Sequence, residues 1–306
     1  MPDLSFLGKM IYEARTKANI TSSKLCYGLC SVSMLSRIES GERNPSILLF
    51  TALLQRAGGS VSDIVYLCSK RDAKLYSIIT NAYGYTGSES EKFKKLLAEY
   101  STIVNLSNNL EEQYYYYYQA RCETDPFKKN ELIMKALACT LPGVELESIS
   151  SYCLSALERD IVSRALNHLI LIKNTRVAAK VYEDLAYLQE KNPSTPKSIT
   201  NSFLDRYGVL ICYLVDGDID EVLHLAKRFF KKYDSVTFPD MELAVSRYTY
   251  QWGYAKLYTD KNASGIDVIT AYYMNRLLNN YKHAEEVRED AKNDLGYEFE
   301  IEFIQL

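Results

Sequence analysis

The sequence predicts an all-α protein, and three observations carry that reading. Apolar residues recur at helical spacing through most of the 306 residues, from Leu7, Ile11, Ala14 and Ala18 to Ile47, Phe50, Leu53 and Leu54, and on to Leu277 and Leu278. Pro2, Pro45, Pro126, Pro142, Pro193, Pro196 and Pro239 fall where helices would begin or end. Strict period-two alternation is confined to the tail, where Tyr297, Phe299, Ile301 and Phe303 alternate with Glu298, Glu300 and Glu302. That tail reads as one short strand or as an extended tail, and a lone strand needs a partner.

Taken in order, the first 70 residues predict five short helices near 5–18, 22–28, 31–39, 46–57 and 60–69. Thr21 or Ser22 caps the second, Gly28–Leu29–Cys30 breaks it, and Ser31 caps a third that Ser40–Gly41 ends. Beyond residue 70 the helices lengthen and come in pairs. Turns at Asn174, Gly217 and Asn262, 43 and 45 residues apart, each precede a helix with small or apolar packing positions. That spacing lies in the range of helix-pair repeats, so 71–290 predicts an α-solenoid whose pairs bury their apolar faces by stacking. The division expected is a small domain over 1–70 and a helical-repeat domain over 71–306.

Composition bounds the function. A hydrophobic content of 47% supplies a sizeable core. Seven cysteines without a Cys-x-x-Cys, and no basic start leading into an apolar run, predict a reducing compartment, the cytoplasm. No apolar stretch approaches the roughly 20 residues of a membrane span. Through Lys70 there are 8 Lys+Arg against 5 Asp+Glu, a net of +3, and beyond it 28 against 34, a net of −6. That sign change suggests a small module facing a polyanion joined to a larger one that does not. Tyrosine is used 26 times, including the run Tyr114–Tyr118, which reads either as large core filler or as an aromatic lining for a peptide.

Residues 22–46 spell a helix-turn-helix. Its second helix exposes Val32, Ser33 and Arg37 while burying Leu35 and Ile38, and its length fits a major groove, with the first residues touching base edges. Ser31, Val32, Ser33, Met34 and Arg37 are the candidates for the DNA face. Arg43, Asn44 and Ser46 offer donors to backbone phosphates, the start of a helix being favourable to anions. Ser22 and Lys24 on the preceding helix complete the set. Arg37 reads either as bidentate to a guanine or as the surface partner of Glu13 or Glu42.

The run LSRIESGERNPS resembles the signature of the phage-repressor-like (Xre) helix-turn-helix domains, a five-helix head, and covers roughly residues 5–60. The short spacing LCYGLCS, with ALACTLPG, LSALERD and the paired helices that follow, is similar to the peptide-pheromone-responsive regulators of Gram-positive bacteria. These are the Rgg and PlcR proteins of the Rap–Rgg–NprR–PlcR–PrgX superfamily. The resemblance implies a homodimeric, quorum-sensing transcription regulator that binds double-stranded DNA at a near-palindromic site. It also implies tetratricopeptide-like repeats whose concave groove takes a short signalling peptide, and an Arg15–Glu39 ion pair that braces the recognition helix. The alternative is a helix-turn-helix protein whose repeats bind another protein.

Counting back from the three turns places Arg164, Asn167 and His168 on the first groove helix, Tyr207 and Ile211 on the second and Trp252 on the third. Arg164 would take a peptide carboxylate and Asn167 a backbone amide. Each has a plain structural reading beside it: Arg164 paired with Asp160, Asn167 as a cap, Trp252 as core. An enzyme is not expected. His168, His224 and His283 are scattered, no Gly-x-Gly-x-x-Gly or Walker loop occurs, and Glu285, Glu286, Glu289 and Asp290 read as the solvated face of a helix. Cys26 and Cys30 read as small apolar filler at the turn, so neither cofactor nor metal is expected.

Overall fold

The computed structural model describes residues 5–59, 70–83, 90–191, 196–233 and 241–300. Among them every regular element is helical. The head contains α1 (Ser5–Lys17), α2 (Ser22–Cys26), α3 (Val32–Glu39) and α4 (Ile47–Arg56). The short helix expected at 60–69 lies outside the described residues. There follow α5 (Lys70–Tyr83), α6 (Ser90–Ser101), α7 (Asn109–Cys122), α8 (Pro126–Thr140), a 3-10 turn (Leu146–Ser151) and α9 (Ala156–Leu171). The remaining helices are α10 (Thr175–Lys191), α11 (Pro196–Asp216), α12 (Ile219–Tyr233), α13 (Met241–Thr259), α14 (Ile266–Leu277) and α15 (Tyr281–Leu295).

Local chemistry explains where they start. Thr21, Ser31 and Ser46 each accept a bond from the backbone N–H three residues on, at 3.1–3.3 Å, so Thr21 rather than Ser22 caps α2. Asp125 takes the N–H groups of Phe127 and Lys128, both at 2.9 Å, with Pro126 in the first turn of α8. Ser155 and Glu158 form a reciprocal capping box at the head of α9.

The chain divides into two compact units, Met1–Ile172 and Lys173–Leu306. The first therefore holds the helix-turn-helix together with α5 to α9. In the head α1 and α2 each pack on α3 and α4; from α4 to α9 and from α10 to α15 successive helices pack in chain order, and α11 also meets α13, and α13 meets α15. This is the contact pattern of stacked helix pairs, and the expected turns at Asn174, Gly217 and Asn262 each separate two helices.

The second unit has two apolar clusters. One centres on Leu210, Val222, Phe229 and Tyr248, with the Phe229 and Tyr248 rings stacked at 3.8 Å. The other centres on Tyr250, Leu257, Val268, Tyr272 and Val287. Of the two readings of the tail, the extended segment is the one found over 297–300. Residues 297–300 form no ladder; Tyr297 and Phe299 pack on the second cluster, with Phe299 5.5 Å from the Tyr272 ring. A single extended segment gains more from burying its aromatic face on a helical core than from backbone groups with no strand beside them. Residues 301–306 lie outside the described residues.

The tyrosine run is mostly core. Tyr114, Tyr117 and Tyr118 are buried and Tyr115 and Tyr116 half-buried, and Tyr118 packs edge-on to Tyr100 at 5.3 Å. No helix among the described residues is long and apolar enough to cross a membrane.

Candidate nucleic-acid interface

The helix that would read DNA is α3. Ser31 caps it, Leu35 and Ile38 are fully buried, and Val32, Ser33, Ser36 and Arg37 face solvent. Met34 is half-buried beside them. The apolar stripe seats the helix, and the opposite face is left with small polar groups, one exposed valine and one cation. Arg37 is held loosely: its Nε lies 3.7 Å from Glu42 Oε2, with the two side chains 56% and 64% exposed. Of the two partners expected on the surface, Glu42 is the one found.

Around α3 the remaining candidates are also accessible. Lys24, Arg43, Asn44 and Ser46 are exposed, Ser22 is half-buried, and no carboxylate among the described residues forms an ion pair with Lys24 or Arg43. The Arg43 backbone N–H donates to Arg37 O at 3.0 Å and Gly41 takes a φ of 79°, so the loop folds back under the end of α3 and presents Arg43 and Asn44 beside it.

Two features fix α3 within the head. Arg15 Nε and Nη2 donate to the two oxygens of Glu39 at 2.7 and 3.0 Å, and Nη1 reaches Ile20 O at 3.1 Å. This is the brace the resemblance implies. Gly8 is the second: a Cβ there would lie 1.8 Å from Ile38 O, so the crossing of α1 over α3 needs a glycine.

A third feature was not anticipated. Arg56, the last residue of α4, and Glu158, in the first turn of α9, form an ion pair with side chains 0% and 1% exposed. Arg56 Nε donates to Glu158 Oε2 at 3.1 Å and Nη2 donates to Oε1. Nη1 reaches Leu25 O at 3.1 Å and Tyr27 O at 2.6 Å, and Nη2 also reaches Thr140 O at 3.3 Å. Glu158 further accepts from Thr140 Oγ1 and from the Ser155 N–H, both at 2.7 Å. All five guanidinium donors are thereby used.

Cys26 is buried and Cys30 half-buried in the same turn, and burial pushes the Cys30 thiol up to about 11, so it stays protonated at neutral pH. This fits the filler role, and no cluster of three metal-ligating side chains occurs among the described residues.

The residues expected to face a peptide fall in both units. In the first, Arg164 Nε bonds Asp160 Oδ2 at 3.1 Å and its guanidinium sits 5.6 Å from the centre of the Tyr117 ring. His168 packs against Phe127 at 5.4 Å, and Asn167 is exposed. In the second, Tyr207, Ile211 and Trp252 are half-buried against one cluster, and the Tyr207 hydroxyl accepts from Gln251 Nε2 at 3.2 Å. Lys256 Nζ lies 4.7 Å from the centre of the Trp252 ring.

The second unit also contains a small cavity of about 130 Å³ that sequence reasoning missed, lined by Glu183, Arg206, Tyr213, Glu221, Arg228 and Phe229 among others. Arg206 is already engaged by Glu190 at 2.7 and 2.8 Å. Burial, then the Glu183 and Glu221 carboxylates, push the Tyr213 phenol up. At 100° per residue, Arg206, Val209 and Tyr213 lie on nearly the opposite face of α11 from Tyr207 and Ile211, and Tyr248 stands between the two, lining the cavity with its ring 5.7 Å from that of Tyr207.

No family model matches the chain, and no curated protein matches it. Two solved structures are similar to it. One is Bacillus thuringiensis PlcR in complex with the peptide PapR7 and DNA, at 15% identity and a TM-score of 0.49, over 92% of this chain and 98% of that one. Another is the apo form of the competence regulator ComR from Streptococcus vestibularis, at 15% identity and a TM-score of 0.43, over 94% of this chain and 97% of that one.

Proposed function

We propose that the chain is a sequence-specific DNA-binding transcription regulator controlled by a short signalling peptide bound to its helical repeats. The observation that carries the DNA half is α3: Leu35 and Ile38 are buried at 0% exposure, and the opposite face presents Val32, Ser33 and Arg37 beside the exposed cations Lys24 and Arg43. A capped helix with a seated apolar edge and a free polar edge has the form of a groove-reading element. The start of α4 at Ser46 adds backbone donors for a phosphate.

The peptide half rests on the sequence resemblance and on the character of the candidate residues. Arg164, Asn167 and His168 line successive turns of α9, and Tyr207, Ile211 and Trp252 are half-buried rather than sealed. An extended peptide brings unpaired backbone groups and side chains that such a mixed surface receives. The regulator acts as a homodimer in the cytoplasm on a near-palindromic site, without cofactor, metal or catalysis.

Capture of fragmented host genomic DNA by the purified protein, with and without the small-peptide fraction of host culture at fixed salt, tests both halves. Enrichment of a few near-palindromic sites whose occupancy changes with the fraction is expected. Absence of any enrichment overturns the DNA half, and enrichment indifferent to the fraction overturns control of DNA occupancy by a peptide.

A further inference from the structure

The geometry points to Glu158 as a positioning residue for the DNA-reading helix, acting through Arg56. This rests on α3 being that helix, as proposed above.

The hydrogen bonds of Arg56 reach both earlier and later parts of the chain. Arg56 grips the carbonyls of Leu25 and Tyr27, which lead into the turn between α2 and α3. With its other donors it grips Thr140 O, at the end of α8, and the Glu158 carboxylate, in the first turn of α9. The same turn is docked at three further points. Tyr27 Oη donates to Pro142 O at 2.9 Å, and Asn109 Nδ2 donates to Gly28 O at 3.2 Å. Gly28 itself has a φ of 67°, and a Cβ there would lie 2.0 Å from Thr140 O. Ser31, the cap of α3, follows three residues later. The start of α3 is therefore placed against α8 and α9 as well as by its own head.

A buried ion pair is a poor source of stability, because desolvation offsets most of the attraction and apolar residues of similar volume serve about as well. What this pair supplies is direction. Five donors in a planar fork accept one relative placement of α9 and the Leu25–Tyr27 backbone. Helix α9 then runs unbroken from Glu158 to Arg164, Asn167 and His168, about 9 to 15 Å along its axis at 1.5 Å per residue. A ligand that shifts α9 at those residues moves the carboxylate that holds the turn before α3. The carboxylate is accordingly a point at which regulation of the DNA face enters the head.

The test uses full-length protein in three forms: wild type, Glu158→Gln, and the double variant Arg56→Met/Glu158→Leu, which removes both charges but keeps the volume. Hydrogen exchange is followed by mass spectrometry without DNA, and binding to a captured site and to random DNA is compared at fixed salt. In the double variant, exchange in residues 27–34 is expected to rise at least about tenfold while α1 and the rest of α9 keep wild-type rates. Preference for the captured site over random DNA is expected to fall at least about tenfold. Exchange that is unchanged in 27–34, or that rises equally in α1, overturns the assignment, because a purely structural pair loosens the whole head. If the double variant does not fold, Glu158→Gln, which keeps the shape and loses the charge, is read by the same criteria. If wild-type protein enriches no site, the proposed function has failed, and the exchange pattern still decides whether Glu158 positions the turn.

Discussion

Arg56 and Arg37 belong to consecutive helices of one small bundle and occupy opposite environments. Arg56 has no exposed side-chain surface and uses every donor inside the protein, whereas Arg37 is 56% exposed and shares a single 3.7 Å contact with an equally solvated glutamate. The difference separates a charge committed to architecture from one available to an outside partner. Removing a partner from the first leaves an uncompensated ion in a low dielectric, while removing the second from the free protein returns a hydrated group to water. The contrast also explains why net charge alone points weakly to the DNA face: two of the head's four arginines, Arg15 and Arg56, are consumed by Glu39 and Glu158.

The sharpest way to break the comparison is to strand the buried partner. Glu158→Ala leaves the Arg56 guanidinium buried with its carboxylate gone, and the expected loss is about 3–5 kcal/mol, seen as a lowered urea midpoint. Replacing both partners with apolar residues recovers the part of that loss due to the stranded charge, so a double variant as unstable as the single one would show that the loss lies in the carbonyls of Leu25, Tyr27 and Thr140 and the Ser155 N–H left without partners, or in the pair itself. Gly8→Ala tests the steric half of the same architecture. A methyl group 1.8 Å from Ile38 O forces α1 away from α3, and a loss of about 1–3 kcal/mol follows, measured by thermal unfolding. Arg15→Ala comes next. It removes a bidentate, half-buried pair together with the bond to Ile20 O, and is expected to lose about 1.5–3 kcal/mol by the same assay, within the range of the glycine variant.

The parts of this fold that were legible beforehand are those written in neighbouring residues. Ser31 and Ser46 are caps because each precedes an apolar periodic run, and the stop after α3 is a glycine with positive φ. The buried and exposed edges of α3 follow from helical period alone, as Leu35 and Ile38 confirm. Arg15–Glu39 needed a resemblance, since nothing in the spacing pairs them. Arg56–Glu158 was invisible for two reasons. Its partners are separated by 102 residues, and Glu158 already has a sufficient local explanation as the third residue of a capping box. The missed signal was Arg56 closing a mostly apolar helix, where a buried cation with no acid on its own helix has to find one elsewhere. In the tail, the alternation puts Tyr297 and Phe299 on one face, and the cover for that face is the α13–α15 core and not a second strand. The small cavity draws residues from four helices, each of which reads in sequence as an ordinary surface charge or core aromatic.

The smallest effect on the protein and the most informative about its use is expected from Arg37→Ala. Its single contact with Glu42 is long and solvated, so the free protein changes by no more than about 0.5 kcal/mol, and its unfolding curve overlays wild type. Binding to a captured site should weaken by at least about 1 kcal/mol, the low end of a good base contact, with the loss concentrated at one base pair. Arg43→Ala supplies the control. Arg43 is exposed at the loop after α3 and is placed for a phosphate, so its loss weakens specific and random DNA alike and flattens the salt dependence. If Arg37→Ala behaves as Arg43→Ala does, lowering both affinities together, Arg37 contacts the backbone and base reading falls to Ser31, Val32 and Ser33. If it lowers neither, the exposed arginine of α3 is only the partner of Glu42, and the distinction between committed and available charge fails at the residue that best defines it.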